Sequence, residues 1–185
     1  LGLSPWEGMW KNRHQLMSRF AAELPVLYVE PWQRLRQLRL SPPSLSEFVK
    51  DARTPVVSAR DGGVRVFRSP AWLPVSGSSK ARRVTLGLWL RRVRRAARAC
   101  GIRYPVLWVS HPGMADVVGR MDELFSVYHI VDEYTGYTGA GDIADLADRE
   151  QALLDRVDLS IAVTPELVEA RARPGRQLLL IENAV

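Results

Sequence analysis

The chain has 185 residues, of which 46% are hydrophobic, and a formal net charge of +6. This size and apolar content suit one globular domain with a packed core and exclude a disordered chain. Because there is one cysteine, an internal disulfide is excluded, and we expect Cys100 to be a small buried residue in a cytoplasmic protein.

The start of the chain and its apolar runs bear on where in the cell the protein is found. We find no signal peptide and no apolar run of about 18 residues, so no membrane-spanning segment is predicted. The chain opens without methionine, and residues 1–4 are typical of a strand whose beginning has been removed. We therefore expect a piece of a longer cytoplasmic protein, with peripheral attachment to the inner face of the cell membrane as a further expectation.

Short apolar runs alternate with helical stretches, a pattern typical of a parallel α/β sheet. Strands are predicted over residues 1–4, 25–31, 64–67, 104–110, 125–131, 159–163 and 177–181. Helices are predicted over residues 10–24, 82–100, 114–121 and 143–157, with a last helix capped by Thr164. Residues 34–63 have no decisive pattern. The predicted fold is one Rossmann-like α/β domain over residues 1–185, doubly wound, with a mostly parallel sheet of about seven strands.

Polar residues follow four of the predicted strands. Ligands of such a sheet bind at the carboxyl ends of its strands, so these residues are the candidate site. They are Trp6, Arg13 and His14 after the first strand, His111 after the fourth, Asp132, Glu133, Tyr134 and Tyr137 after the fifth, and Thr164 and Glu166 after the sixth. The glycines of residues 136–141 do not match a dinucleotide-binding or phosphate-binding loop, so a loop that admits the acceptor is favoured there.

Five segments together resemble bacterial GT-B glycosyltransferases of the family 1 or family 4-like kind, which assemble polysaccharides and cell-envelope glycans. They are residues 10–16, 128–134, 150–158, 161–167 and 181–185. In those enzymes a strand ends in an acidic pair, and a helix that starts with Glu runs to an Asp before the next strand. The resemblance implies an N-terminal, acceptor-side domain whose donor-binding C-terminal domain lies outside this chain.

Asp132 is the first candidate for catalysis. The resemblance implies that it faces the transferred sugar, as a general base or as a carboxylate that stabilises positive charge at the anomeric carbon. The structural alternatives are an Asp that caps the loop before Tyr134 and an ion pair at the edge of the sheet. The alternatives for His111 are an acceptor or phosphate ligand and a structural histidine. Arg13 with His14 is either a diphosphate contact or a solvated pair.

The remaining candidates contact substrate in less specific ways. Tyr134 and Tyr137 offer rings to a sugar face, and Glu133 is a weaker candidate than Asp132. His129 lies inside a predicted strand, so we expect it in the core.

Charge is segregated along the chain. Residues 80–103 contain nine basic residues and no acid, whereas residues 122–158 contain ten acids and two arginines. On the predicted helix over residues 82–100, one face is apolar and the other carries Arg91, Arg94, Arg95 and Arg98. This face is either an ordinary solvated surface or one that docks on anionic lipid. No nucleic-acid motif supports a nucleic-acid partner.

The leading hypothesis is that the intact protein transfers a hexose from a UDP-sugar or GDP-sugar to a glycan or lipid-linked acceptor. The resemblance implies no metal and no cofactor, and the fragment alone is expected to be inactive. One alternative is a sugar-nucleotide epimerase of the same fold. Another is a degenerate, non-catalytic glycosyltransferase-like module that binds a membrane or a partner.

Overall fold

The computed structural model of the chain describes residues 6–7, 12–31, 56–70, 79–134 and 140–182. These cluster into two compact units, one within residues 2–103 and one within residues 104–185. The prediction of a single acceptor-side domain over residues 1–185 stays a prediction.

The first unit contains a three-stranded sheet. Its elements are α1 (Asn12–Ala21), β1 (Leu27–Val29), β2 (Val57–Ala59), β3 (Arg65–Phe67) and α2 (Ser79–Ala99). The sheet order is β1–β3–β2, with β1 parallel and β2 antiparallel to β3. Trp6, Tyr28, Val64 and Val66 form a buried cluster against which Met17 of α1 packs.

The basic helix α2 ends in a glycine cap. The amide of Gly101 donates to the carbonyl of Arg98, and the amide of Ile102 donates to that of Ala97. Together these bonds form a Schellman motif, which requires a left-handed residue just after the helix. Gly101 supplies it with φ of 83°. Cys100, beside it, is buried as expected.

The second unit contains a four-stranded parallel sheet. Its elements are β4 (Val106–Val109), β5 (Phe125–Ile130), α3 (Ala140–Arg156), β6 (Leu159–Ala162), α4 (Pro165–Arg171) and β7 (Leu178–Leu180). The sheet order is β4–β5–β6–β7, and every pairing is parallel. β5 and β6 lie in the middle of the sheet and are almost continuously buried, which is why their sequences are apolar without alternation. A short 3₁₀ helix, Pro112–Val117, packs against α3.

The prediction of an α/β fold with parallel strands is confirmed, but the prediction of one sheet of about seven strands is wrong. The described strands form a sheet of four and a separate mixed sheet of three. β2 was not predicted, and the predicted strand over residues 1–4 lies outside the described residues. Where a helix was predicted over residues 114–121, the structure has the 3₁₀ helix Pro112–Val117. Its six residues form 3₁₀ turns, which seldom continue beyond a few residues.

Candidate functional site

The carboxyl ends of β4, β5 and β6 meet at one edge of the four-stranded sheet. Val109 of β4 is in register with Tyr128, and Ile130 of β5 with Ala162 of β6. Continuing these registers puts His111 level with Ile130, and it puts Asp132 level with Thr164. The sheet register therefore brings predicted site residues from three strands to the same edge.

His111 and Tyr134 form a ring pair at this edge. Their ring centroids are 5.1 Å apart with the planes tilted by 59°. The Tyr134 hydroxyl donates to the carbonyl of Ser110 at 2.7 Å. His111 Nδ1 accepts from the amide of Gly113 at 2.9 Å, so the neutral imidazole carries its proton on Nε2. The residue therefore presents a hydrogen-bond donor at Nε2.

Asp132 is exposed just beyond β5. Its Oδ1 accepts from the amide of the next residue, Glu133, at 2.9 Å, which orients the carboxylate while leaving it reachable from solvent. This contact matches the loop-capping alternative for Asp132, and it is compatible with a catalytic role.

Thr164 and Glu166 are tied to the start of α4. The Thr164 hydroxyl accepts from the amide of Leu167 at 3.4 Å and caps the helix, as its position before Pro165 predicts. A hydrogen bond from the Thr164 side chain, and then one from the Glu166 amide, lower the pKa of the Glu166 carboxyl. Both side chains are therefore engaged in forming the helix end.

The candidates from the first part of the sequence lie in the other unit. Trp6 and His14 are buried, with ring centroids 4.7 Å apart, and both rings also contact Tyr28. The Trp6 amide donates to Glu30 Oε1 at 2.9 Å. Arg13 lies in α1, but its side chain, like the whole of Tyr137, lies outside the described residues.

Beneath the edge, four side chains form a largely buried charged group, of which the sequence analysis named only Glu133 as a site residue. This Arg171 cluster consists of Tyr128, Glu133, Glu150 and Arg171, joined by hydrogen bonds of 2.7–3.2 Å. Burial, and then the nearby Glu150, raise the pKa of Tyr128. Burial acts to lower the pKa of Arg171, but Glu150 and then Glu133 outweigh it, so the net shift is upward. Glu133 is therefore engaged by a protein cation.

His129 is buried on β5 with its ring against Trp108, at a centroid distance of 5.4 Å. Burial lowers its pKa to about 4, so the imidazole is neutral at pH 7. The expected core position of His129 agrees with this burial.

The basic helix has an exposed stripe. Arg91, Arg95 and Arg98 are exposed, whereas Arg94 is half-buried. On the same face Val84 and Leu88 are 65% and 45% exposed. The stripe thus combines apolar and cationic side chains at successive spacings of four and three residues.

Within the ranges given above, no three His, Cys, Asp or Glu side chains group as metal ligands. No described helix combines the length and apolar character needed to cross a bilayer.

Comparison with known proteins shows the fold. No protein-family model and no curated protein matches the sequence. Among solved structures, the chain is similar to a sucrose-phosphate synthase from Thermosynechococcus elongatus, with a TM-score of 0.55 and 15% identity. The similarity covers 93% of this chain and 83% of that one. The chain therefore has a glycosyltransferase-like α/β fold.

Proposed function

We propose that this chain belongs to a glycosyltransferase in which the edge formed by β4, β5 and β6 binds the acceptor. The observation that carries the proposal is Asp132, an oriented and exposed carboxylate at the carboxyl end of a central parallel strand. The fold similarity to a sucrose-phosphate synthase, an enzyme that by its name builds a sugar phosphate, supports the same class of reaction.

The chemistry assigns separate roles to the groups at this edge. The Asp132 carboxylate acts on the acceptor hydroxyl as general base, or stabilises positive charge at the anomeric carbon. The His111 imidazole, at the same edge, offers a polar ring to a sugar hydroxyl or phosphate oxygen. The Tyr134 ring, held by its hydroxyl on Ser110, offers an apolar face to a sugar.

The proposal assigns donor binding to a part of the protein outside the described residues. The donor is a UDP-sugar or GDP-sugar held by a C-terminal domain of the same protein, and the acceptor is a glycan or a lipid-linked glycan. We propose a reaction without a metal, in which helix N-termini and basic side chains stabilise the leaving diphosphate.

The test is Asp132→Asn in the intact protein that contains this chain, after a screen of UDP-sugars and GDP-sugars identifies a donor. Removing a general acid–base group should lower kcat about 100-fold to 10,000-fold without unfolding the protein. Asp148→Asn is the matched control, because Asp148 is exposed on α3. Unchanged turnover in Asp132→Asn, or interconversion of sugar nucleotides without an acceptor, would overturn the proposal.

We also propose that the exposed stripe of α2 docks on an anionic membrane, where a lipid-linked acceptor would be found. Its support is the joint exposure of Val84 and Leu88 with Arg91, Arg95 and Arg98. Apolar side chains at such a face enter the interface, while each arginine contributes about 1 kcal/mol near anionic headgroups.

Replacing Arg91, Arg95 and Arg98 with Gln should weaken sedimentation with phosphatidylglycerol vesicles roughly 100-fold, since about 1 kcal/mol is lost at each position. The matched control replaces Arg120, Arg173 and Arg176, which removes the same charge outside α2. Equal binding by both triple variants, or binding that is indifferent to salt, would contradict the membrane proposal.

A further inference from the structure

Arg171 lies in the last turn of α4, where a basic residue is usually solvated, but its side chain is only 6% exposed. It shares the buried face of the helix with Leu167. A buried cation is tolerated only when paired and hydrogen-bonded, so its partners determine what it does.

The first partner, Glu150, is a core anchor. Arg171 donates from Nε to Glu150 Oε1 at 3.0 Å and from Nη2 to Oε2 at 3.2 Å. The hydroxyl of Tyr128, in the middle of β5, donates to the same Oε1 at 2.7 Å. The Glu150 side chain is 11% exposed and is therefore held from both α4 and β5.

The second partner, Glu133, connects this anchor to the edge of the sheet. Arg171 Nη2 contacts both carboxylate oxygens of Glu133, at 3.0 and 2.9 Å. The amide of Glu133 in turn donates to Asp132 Oδ1. Two sets of hydrogen bonds, joined through the covalent frame of Glu133, therefore connect the core to the candidate catalytic carboxylate.

Stability alone does not account for this arrangement. Arg171 and Glu150 already neutralise each other in the core, and a second carboxylate takes the cluster beyond neutrality. Glu133 is 48% exposed, so it would be well solvated without Arg171. The contact ties Arg171 to the segment that carries Asp132. On its other side, the hydroxyl of Tyr134 fastens it to Ser110.

We propose that Arg171, held by Glu150 and Tyr128, is a positioning residue that fixes Glu133 and thereby orients the Asp132 carboxylate. The kinetic consequence rests on the proposed glycosyltransferase function, whereas the structural consequence does not. Arg171 itself touches no substrate, and its effect passes through the backbone of residues 132–134.

Amide hydrogen exchange of the intact protein tests the structural consequence. Glu133→Gln changes only the half-exposed end of the cluster, and Arg171→Lys keeps the charge but removes the planar fork of donors. Both should raise exchange at the amides of residues 132–134 about tenfold, the effect of losing one charged hydrogen bond, while β4 and β6 exchange as before. Arg173→Lys, which alters the exposed pair with Asp155, is the matched control and should change nothing at residues 132–134.

Steady-state kinetics with the screened donor tests the kinetic consequence. Arg171→Lys should lower kcat about tenfold with little change in KM, and combining it with Glu133→Gln should add little more, because both act through one contact. Unchanged exchange at residues 132–134 in both variants would overturn the proposal, and so would a raised KM with normal kcat. If Asp132→Asn retains full turnover, the proposed function fails while the exchange result still decides the positioning.

Discussion

Trp89 and Arg171 each bury a hydrogen-bond donor on a helix, but the two networks around them differ in charge. The Trp89 Nε1 donates to Ser69 Oγ at 3.0 Å, and Ser69 donates to the carbonyl of Glu30 at 3.2 Å. Every member of that series is neutral. Arg171 instead lies between two carboxylates, with a phenol as the fourth member.

The difference in charge between the two networks determines how much a substitution in each should destabilise the fold. Removing one member of the neutral network leaves a buried dipole without its partner, which costs about 1–3 kcal/mol. Removing Glu150 or Arg171 from the charged network takes one half of the core ion pair away and leaves its partner in the core with weaker compensation for its desolvation. The two networks should therefore differ several-fold in their sensitivity to single substitutions.

The largest expected effect is that of Glu150→Ala, which leaves Arg171 buried without its main partner. The free energy of unfolding should fall by about 3–5 kcal/mol, measured by denaturant titration at pH 7. Adding Arg171→Met to Glu150→Ala should recover part of that loss, because it removes a buried charge whose remaining acidic partner, Glu133, is half-exposed. Asp155→Ala, which removes a more exposed acid, is the comparison. If Glu150→Ala lowers the free energy of unfolding no more than Asp155→Ala does, the charged network is no more sensitive than the neutral one.

The next effect concerns pH and His129, which neighbours Tyr128 on β5. Its folded pKa, about 4, lies below the unfolded value of about 6.5, so its stabilising contribution is complete above pH 6.5 and is lost as pH falls toward 4. The loss should approach 3 kcal/mol at about 1.4 kcal/mol per pH unit. Unfolding titrations at pH 7.0 and 4.5 should show a smaller difference for His129→Phe than for the parent, and an equal difference would contradict the shift.

Ser69→Ala tests the neutral network and should have a smaller effect. It removes the acceptor that Trp89 uses, so the free energy of unfolding should fall by about 1 kcal/mol. Ser58→Ala, on β2 in the same unit, is a control for loss of a hydroxyl. A loss from Ser69→Ala as large as that of Glu150→Ala would show that charge does not separate the two networks.

The smallest effect is expected for Arg173→Met. Its pair with Asp155 is 3.2 Å long and largely exposed, and such pairs are worth about 0–1 kcal/mol. The change should be within about 0.5 kcal/mol by the same titration and should shrink further in high salt. If the free energy of unfolding falls by more than about 2 kcal/mol, burial does not explain why Arg171 should be more sensitive to substitution than Arg173.

Much of the second unit could be predicted from the sequence. Continuous apolar runs predicted β4 through β7 because strands covered on both faces leave that pattern. β2 has only three residues, and none of them is buried, so it leaves no pattern to detect. The division into two sheets could not be predicted, because the periodicity of a strand does not specify its neighbours.

The candidate site was predicted in part. The order of polar residues after strands placed His111, Asp132, Glu133 and Tyr134 at one sheet edge, and their roles stay predictions. The other members of the Arg171 cluster were missed. A signal existed, because Glu150 is spaced with Leu146 and Leu153 on the apolar face of α3, where an acid needs a cation. Which cation it pairs with depends on the packing of α4, and that is tertiary information.

The pairing of Glu150 with Arg171 also constrains how this sequence can diverge. A single substitution at either position passes through a protein whose remaining core charge is poorly compensated, whereas a change of both to apolar residues of similar volume is tolerated. Among descendants of a common ancestor, glutamate at position 150 and arginine at position 171 should therefore be inherited or lost together. Glu133, being half-exposed, should vary more freely than either of them.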